Sequence, residues 1–514
     1  MNLATPALAA QPQAPPRVRW SAAVALVSGI VGAYAFPKAG IWPFAILSVA
    51  GLSWAVHGCR SRTAAWLGFV YGLAFFVPLL HWTGIYVGAF PWLLLATAEA
   101  GFMAALGAVL PLLQRLRAAP VWIACAWVLE EALRDRLPFG GFPWGRLAFS
   151  QADSPLKWFI ALGGAPLLSF AVALAGGGLA VAALRLSRWS PRPRMLALDL
   201  AWPVGVLLVG ALAMAPVHAL APSGHPAPPL HIALIQGSVP DRGLAFEDRA
   251  GQVLENHVAQ TEKLAAEVAA GKAAQPDLVV WPEDASDLDP YQDAAAAALI
   301  NQAVQAIKAP VLVGAILQGP GDKRRNAGIL WSPTTGPGAT YIKRHPVPFA
   351  EYLPLRSIAT KISSAAKLVT QDMVAGHGNG LLRGGPLPIG DVICFEVAYD
   401  DLVRSSVEAG AQVLVVQTNN ATFGHTSETY QQLAMSQLRA LEHGRTVLQV
   451  ATTGASAVIN PNGNIVTRSG ALYQPAILTS DVQPITGLTL ADRVQAWPEY
   501  VLSTLALLDR KSVV

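Results

Sequence analysis

The chain has 514 residues, 53% of them hydrophobic and only 13% charged, a balance that excludes an ordinary soluble domain and points to a membrane protein of more than one domain. Its formal net charge of +4 is small for that length and comes in short basic clusters, which argues against nucleic acid as a partner. Cys59, Cys125 and Cys394 are too scattered for a disulfide framework or a zinc site, and they leave the redox compartment open.

Residues 1–19 read as a Pro/Ala-rich cytoplasmic tail, and residues 20–220 as a seven-span membrane domain. Its apolar segments fall at 20–36, 41–57, 63–80, 88–113, 119–133, 157–184 and 196–217, each approaching the ~20 residues of a spanning helix. Loop arginines set the orientation. With the N-terminus inside, Arg17, Arg19, Arg60, Arg62, Arg115, Arg117, Arg185, Arg188, Arg192 and Arg194 are cytoplasmic, while Lys38, Arg134, Arg136, Arg146 and Lys157 face out. Mid-span Glu99 is expected to be protonated or paired to another helix, Glu130 and Glu131 to be interfacial, and His81 with Trp82 to join an aromatic belt.

A Pro-rich linker, 221–229, leads into residues 229–485, where short β-rich runs ("DLVVWPE", "APVLVGAIL", "PIGDVICFE", "AQVLVVQTN") alternate with helical stretches. That alternation predicts an extracytoplasmic α/β domain. Residues 488–508 are apolar again and are expected to form a closing span, with Asp492 and Arg493 at the interface.

A thiol at a strand end becomes a nucleophile only if a cation lowers its pKa or a base removes its proton. Cys394 closes "PIGDVIC", Glu283 closes "DLVVWPE" and Lys343 closes "ATYIK". Each alone has a bland explanation, as a buried thiol, a turn carboxylate or a surface charge. Together they set a base, a cation and a nucleophile on three successive strand ends.

That set matches the nitrilase, or carbon-nitrogen hydrolase, superfamily. "YIKRHPVPFAEYLP" (341–354) and "ICFEVAY" resemble signatures of the apolipoprotein N-acyltransferase family, as do "LIQGSVP", "GFPWGRLAFSQ", "RALEHGR" and the terminal "AWP". The resemblance covers nearly the whole chain and implies a polytopic α-helical membrane domain carrying an αββα sandwich. It also implies a function: transfer of an acyl chain from a phospholipid to the amino group of a diacylglyceryl-cysteine, through a thioester on Cys394. Glu283 would be the base and Lys343 the oxyanion partner, helped by a backbone N–H near Phe395. Glu351 would orient Lys343, and Glu396 would shape or gate the pocket. Phe246, Phe349, Tyr352 and Phe423 would contact substrate, with lids at 345–358 and 419–427. No metal or cofactor is expected, and the protein is expected to be a monomer in the cell membrane.

The family's Asn-Asp-Ala-Trp-Phe-Gly run reads "NNATFG" here, with Asn420 and Thr422 in place of Asp and Trp, and lipid contacts in that loop are weakened accordingly. A membrane-tethered amidase using the same triad is the alternative reading. A transporter or a scaffold without catalysis is a third, disfavoured by the few intramembrane charges and the intact triad.

Overall fold

A computed structural model describes residues 18–187, 193–220, 222, 228–239 and 251–508. Most of the expected N-terminal tail and linker, Arg188, Arg192 and Phe246 lie outside the described residues.

Helices occupy all seven apolar segments: α1 Val18–Ala33, α2 Pro43–Ala55, α3 Ser61–Leu79, α4 Ala89–Leu113, α5 Ala119–Arg134, α6 Ile160–Leu186 and α7 Pro193–Leu212, followed by the short α8 Met214–Leu220. Among the described residues four helical stretches, Ser61–Leu79, Ala89–Leu113, Pro155–Leu186 and Pro193–Ala219, are long and apolar enough to cross a membrane. The 13 residues of α2 reach only about 20 Å at ~1.5 Å per residue. Close packing of α3 on α4 depends on small residues: a Cβ at Gly68 would stand 2.2 Å from the Met103 carbonyl oxygen.

The second domain is an αββα sandwich. Its first sheet runs β12-β1-β2-β3-β4-β5 and its second β11-β10-β9-β8-β7-β6. In chain order these are β1 Leu230–Gln236, β2 Leu278–Val280, β3 Val311–Gln318, β4 Arg324–Ser332, β5 Gly336–Ile342, β6 Leu381–Leu382, β7 Ile389–Ile393, β8 Val413–Thr418, β9 Val447–Ala451, β10 Ala457–Ile459, β11 Ile465–Arg468 and β12 Ala476–Val482. The central β1-β2-β3 and β7-β8-β9 runs are parallel and buried on both faces, which is why they read as continuous apolar runs. The sheets approach closely at Gly328 of β4, where a Cβ would meet Asp391 Oδ2 of β7 at 1.9 Å.

Amphipathic helices α9 (Gln252–Ala269) and α10 (Ala294–Ile307) cover the first sheet, with α11 (Arg356–Ile362) in a loop beyond it. The second sheet is covered by α12 (Asp400–Glu408) and α13 (Glu428–His443). The apolar core beneath these last two helices is continuous with that of the membrane domain: Leu402, Met435 and Leu438 share a cluster with Phe149, Leu168 and Val172. The sandwich thus buries one of its helical layers against the membrane helices.

The closing segment, residues 488–508, holds two helices. Thr489 and Asp492 form a capping box around α14 (Leu490–Val494), the chain turns at Gln495 with φ of 53°, and α15 (Trp497–Leu508) follows. Asp492 is buried rather than interfacial because His443 Nδ1 sits 2.6 Å from its Oδ1. Glu130 and Glu131 are corrected in the same way: both are buried, Glu130 paired with Arg134 at 3.2 Å and Glu131 accepting from the Leu147 N–H at 2.7 Å. Glu99 is helix-paired as expected, 3.4 Å from Arg134.

Candidate active site

Glu283 follows β2, while Lys343 and Cys394 come directly after β5 and β7. They are not on successive strands: β3 and β4 separate the first two, and Cys394 comes from the second sheet. The sandwich closes one end of both sheets around a single chamber.

Lys343 is its electrostatic centre. Nζ donates to Glu283 Oε1 at 2.9 Å and to Glu351 Oε1 at 2.8 Å, and the side chain is almost fully buried. Burial alone would lower the ammonium's pKa, but Glu283 and then Glu351 outweigh it and hold the pKa well above the usual lysine value. Asn326 on β4 bridges the same carboxylates, donating to Glu283 at 2.7 Å and to Glu351 at 3.3 Å. The Asn419 N–H supports Glu283 Oε2 at 2.7 Å, and the Val347 N–H supports Glu351 Oε2 at 2.6 Å.

Cys394 adopts φ of 56°, the left-handed region, at the first residue of a tight 3-10 turn, Cys394–Ala398. Its sulfur accepts from Thr418 Oγ1 at 3.3 Å and faces Gln432 Nε2 at 3.7 Å. Burial, and then the charge of Glu283, push the thiol well above its ordinary pKa, while Lys343 and the Thr418 hydrogen bond pull the other way. The resting group is therefore a thiol. A thiol in that state would act as a nucleophile only with a base to take its proton.

Glu396 is fully buried and accepts from four donors: Tyr341 Oη at 3.0 Å, Arg344 N at 2.6 Å, His345 N at 3.1 Å and Ile393 N at 2.8 Å. It ties the chain after Lys343 to the strand that ends at Cys394, an arrangement suited to positioning rather than gating. Phe395 turns away from the chamber. Its ring lies parallel to Trp144 at 5.9 Å and stacks on Phe142 at 5.6 Å, so the residue after Cys394 docks on the membrane domain's "GFPW" loop.

Of the expected substrate contacts, Phe423 is buried in the core between the sheets with Cys394. Phe349, 52% exposed, meets Phe139 edge-on at 6.1 Å, and Tyr352 Oη donates to the Phe139 carbonyl at 3.3 Å. The 345–358 segment therefore touches the loop below it. Sequence reasoning missed Asn326, Thr418 and Gln432. Thr418 closes β8, and the strand-end rule that picked out Cys394 reaches it. No such signal exists for Gln432, whose proximity depends on how α13 lies. Among the described residues no cluster of metal-ligating side chains occurs.

The fold defines a carbon-nitrogen hydrolase domain seated on a helical membrane domain. Residues 28–178 match the apolipoprotein N-acyltransferase N-terminal domain, and residues 232–486 match the carbon-nitrogen hydrolase domain. An apolipoprotein N-acyltransferase of Mycolicibacterium smegmatis is 39% identical over 94% of this chain and 83% of its own length; one from Azotobacter vinelandii is 31% identical over 94% and 93%. A solved amidase of the nitrilase superfamily from Nesterenkonia aligns with 55% of this chain and 98% of its own, at 19% identity and a TM-score of 0.39. The chain belongs to the apolipoprotein N-acyltransferase family. It is an N-acyltransferase and a membrane protein.

Proposed function

We propose that the protein transfers an acyl chain from a phospholipid to the α-amino group of a diacylglyceryl-cysteine at the start of a lipoprotein, by way of a thioester on Cys394. Glu283 takes the thiol proton as sulfur attacks the ester carbonyl. The C–S bond forms, the ester C–O bond breaks, and the lysophospholipid leaves with that proton. Lys343 balances the oxyanion of each tetrahedral intermediate. The acceptor amine then attacks the thioester, a C–N bond replaces C–S, and the thiol is regenerated.

The observation that carries this reading is the shared ammonium: Lys343 Nζ bridges Glu283 and Glu351 in a chamber whose nucleophile is electrostatically coupled to all three. The docking of Phe395 on Trp144 supports a lipid substrate, because it sets the thiol beside the membrane domain. Exposing acyl chains to water would cost ~0.8 kcal/mol per CH2, and a site beside the bilayer avoids that. Phe349, Leu355, Ile358 and Ile362 expose an apolar face on the 345–362 segment, fit for contact with chains or bilayer. On this reading residues 20–220 span seven times, residues 229–485 lie outside the cytoplasm, and residues 488–508 return the chain.

The test is incubation of the purified protein with labelled phospholipid, followed by mass spectrometry. An acyl adduct on Cys394, discharged by a lipidated acceptor into an N-acyl product, is the expected result. Release of free fatty acid as main product, independent of acceptor, overturns the transferase reading.

A further inference from the structure

Three glutamates near the thiol have their charge answered. Glu283 and Glu351 share Lys343, and Glu396 is saturated by its donors. Glu428, the first residue of α13, is different. It is only 5% exposed, yet among the described residues its carboxyl group receives no hydrogen bond and faces no cation; burial is all that acts on it, raising its pKa well above the carboxylate range. Nor are its oxygens among the polar atoms sealed away without a partner, so they retain contact with accessible space.

Helical spacing puts Glu428 one turn before Gln432 and on the same face. Gln432 aims Nε2 at the Cys394 sulfur, and Gln431 accepts from Trp144 Nε1 at 2.7 Å. The helix turn that carries Glu428 therefore runs between the thiol's neighbour Gln432 and Trp144 of the membrane domain. Just before it, Thr426 and Ser427 help wall an open cleft whose other side is Val77, Trp82 and Trp92. A carboxyl group that is buried, unpaired and reachable suits a cation that arrives with a ligand, because burial strengthens an ion pair once both charges are present.

We infer that Glu428 binds the primary ammonium group of a substrate at the edge of the thiol chamber. The inference rests on the acyl-enzyme reading above. Two substrates carry such a group: the lipidated acceptor, through its α-amino nitrogen, and an ethanolamine phospholipid, through its headgroup. In the acceptor's case binding of the ammonium first drives the carboxyl proton off to water, and the Glu428 carboxylate so formed then takes one proton from the ammonium. The freed lone pair attacks the thioester carbon, the C–N bond forms and the C–S bond breaks, and the departing sulfur takes a second proton from nitrogen. One proton remains on the amide, and charge is conserved.

The experiment uses Glu428→Gln in the full chain, with three assays: Cys394 adduct formation from phosphatidylethanolamine, adduct formation from phosphatidylglycerol, and discharge of the adduct by a synthetic diacylglyceryl-cysteine peptide. Loss of a hydrogen bond to a charged group is expected to weaken the affected step by about 10- to 100-fold, mainly as a raised KM. Confined to peptide discharge, the loss assigns the site to the acceptor; confined to the ethanolamine lipid, it assigns the site to the donor headgroup. Glu428→Asp keeps the charge and should recover part of the loss. Wild-type behaviour of the Gln variant in all three assays overturns the inference, and so does a uniform loss that Asp does not recover. Absence of any adduct on the wild-type enzyme instead sinks the acyl-enzyme reading.

Discussion

Arg146 Nη1 lies 2.9 Å from each carboxylate oxygen of Asp400, so a loop of the membrane domain grips the helix that follows Cys394. Arg439 reaches the same carboxylate at 2.7 Å, and Arg146 is further held by Asp135 at 3.3 Å and Glu131 at 3.6 Å. Removing one partner of a buried pair leaves an uncompensated charge, a loss of about 3–5 kcal/mol. Arg146→Met should therefore lower the melting temperature and loosen the docking of the two domains, measured by thermal unfolding and limited proteolysis. Burial works against the Asp400 carboxylate, but Arg146 and then Arg439 prevail and hold its pKa well below the usual range. A depressed pKa gives stability that is present above the unfolded value of about 3.9 and lost as pH falls through the folded one. Docking should thus survive at pH 4, whereas Asp400→Asn should weaken it at every pH and remove this carboxylate's share of the loss in stronger acid.

The thiol offers a test of the base that separates protonation from turnover. Because Glu283 raises the Cys394 pKa after burial has done so, Glu283→Gln should lower it and speed alkylation by iodoacetamide at pH 8. The same variant should slow adduct formation from phospholipid by ~10²-fold or more, since the base is gone. Parallel losses in both measurements would contradict the assigned role. Cys394→Ala should abolish adduct and product while the protein still folds.

Lys343→Met should slow acylation and deacylation alike, by something like the ~10²- to 10³-fold that follows loss of an oxyanion donor. Single-turnover kinetics on each half-reaction check this. Glu351→Gln keeps a hydrogen-bond acceptor for Lys343 Nζ but removes one of the charges that raise its pKa. It should produce a milder loss, and one that grows toward high pH as the lysine becomes easier to deprotonate.

Topology is open to direct measurement. Reporter fusions at residues 61, 116 and 190 should score as cytoplasmic and one near residue 300 as extracytoplasmic. A cytoplasmic signal at 300 would remove the sandwich from the side on which its proposed acceptors are exposed.

The helices of the N-terminal half were legible because unbroken apolar runs need no partner to be recognised, and the sandwich because its buried parallel strands leave the same signature at shorter length. Glu283 and Cys394 drew notice because each follows such a run, whereas Lys343 follows the antiparallel, largely exposed edge strand β5 and drew notice as a cation at a strand end. What escaped was set by contacts between distant parts of the chain. Arg146 and Asp400 are separated by 254 positions, and nothing local marks Glu131 as that arginine's partner rather than an interfacial charge. The break at Gln495 escaped for a similar reason: α14 is fixed by the Asp492 bond to His443 on another helix, which local hydropathy does not report.

The backbone at Cys394, with φ of 56°, gives the nucleophile a second kind of consequence. A side chain in that region costs about 1–2 kcal/mol that glycine does not bear, and this side chain must also keep its sulfur beside a buried carboxylate. Fold and chemistry therefore want different residues at this position. Cys394→Gly should be inert yet harder to unfold than Cys394→Ala, so a lineage released from the need to acylate would gain stability by discarding the thiol. At this one residue thermostability and the proposed turnover pull in opposite directions.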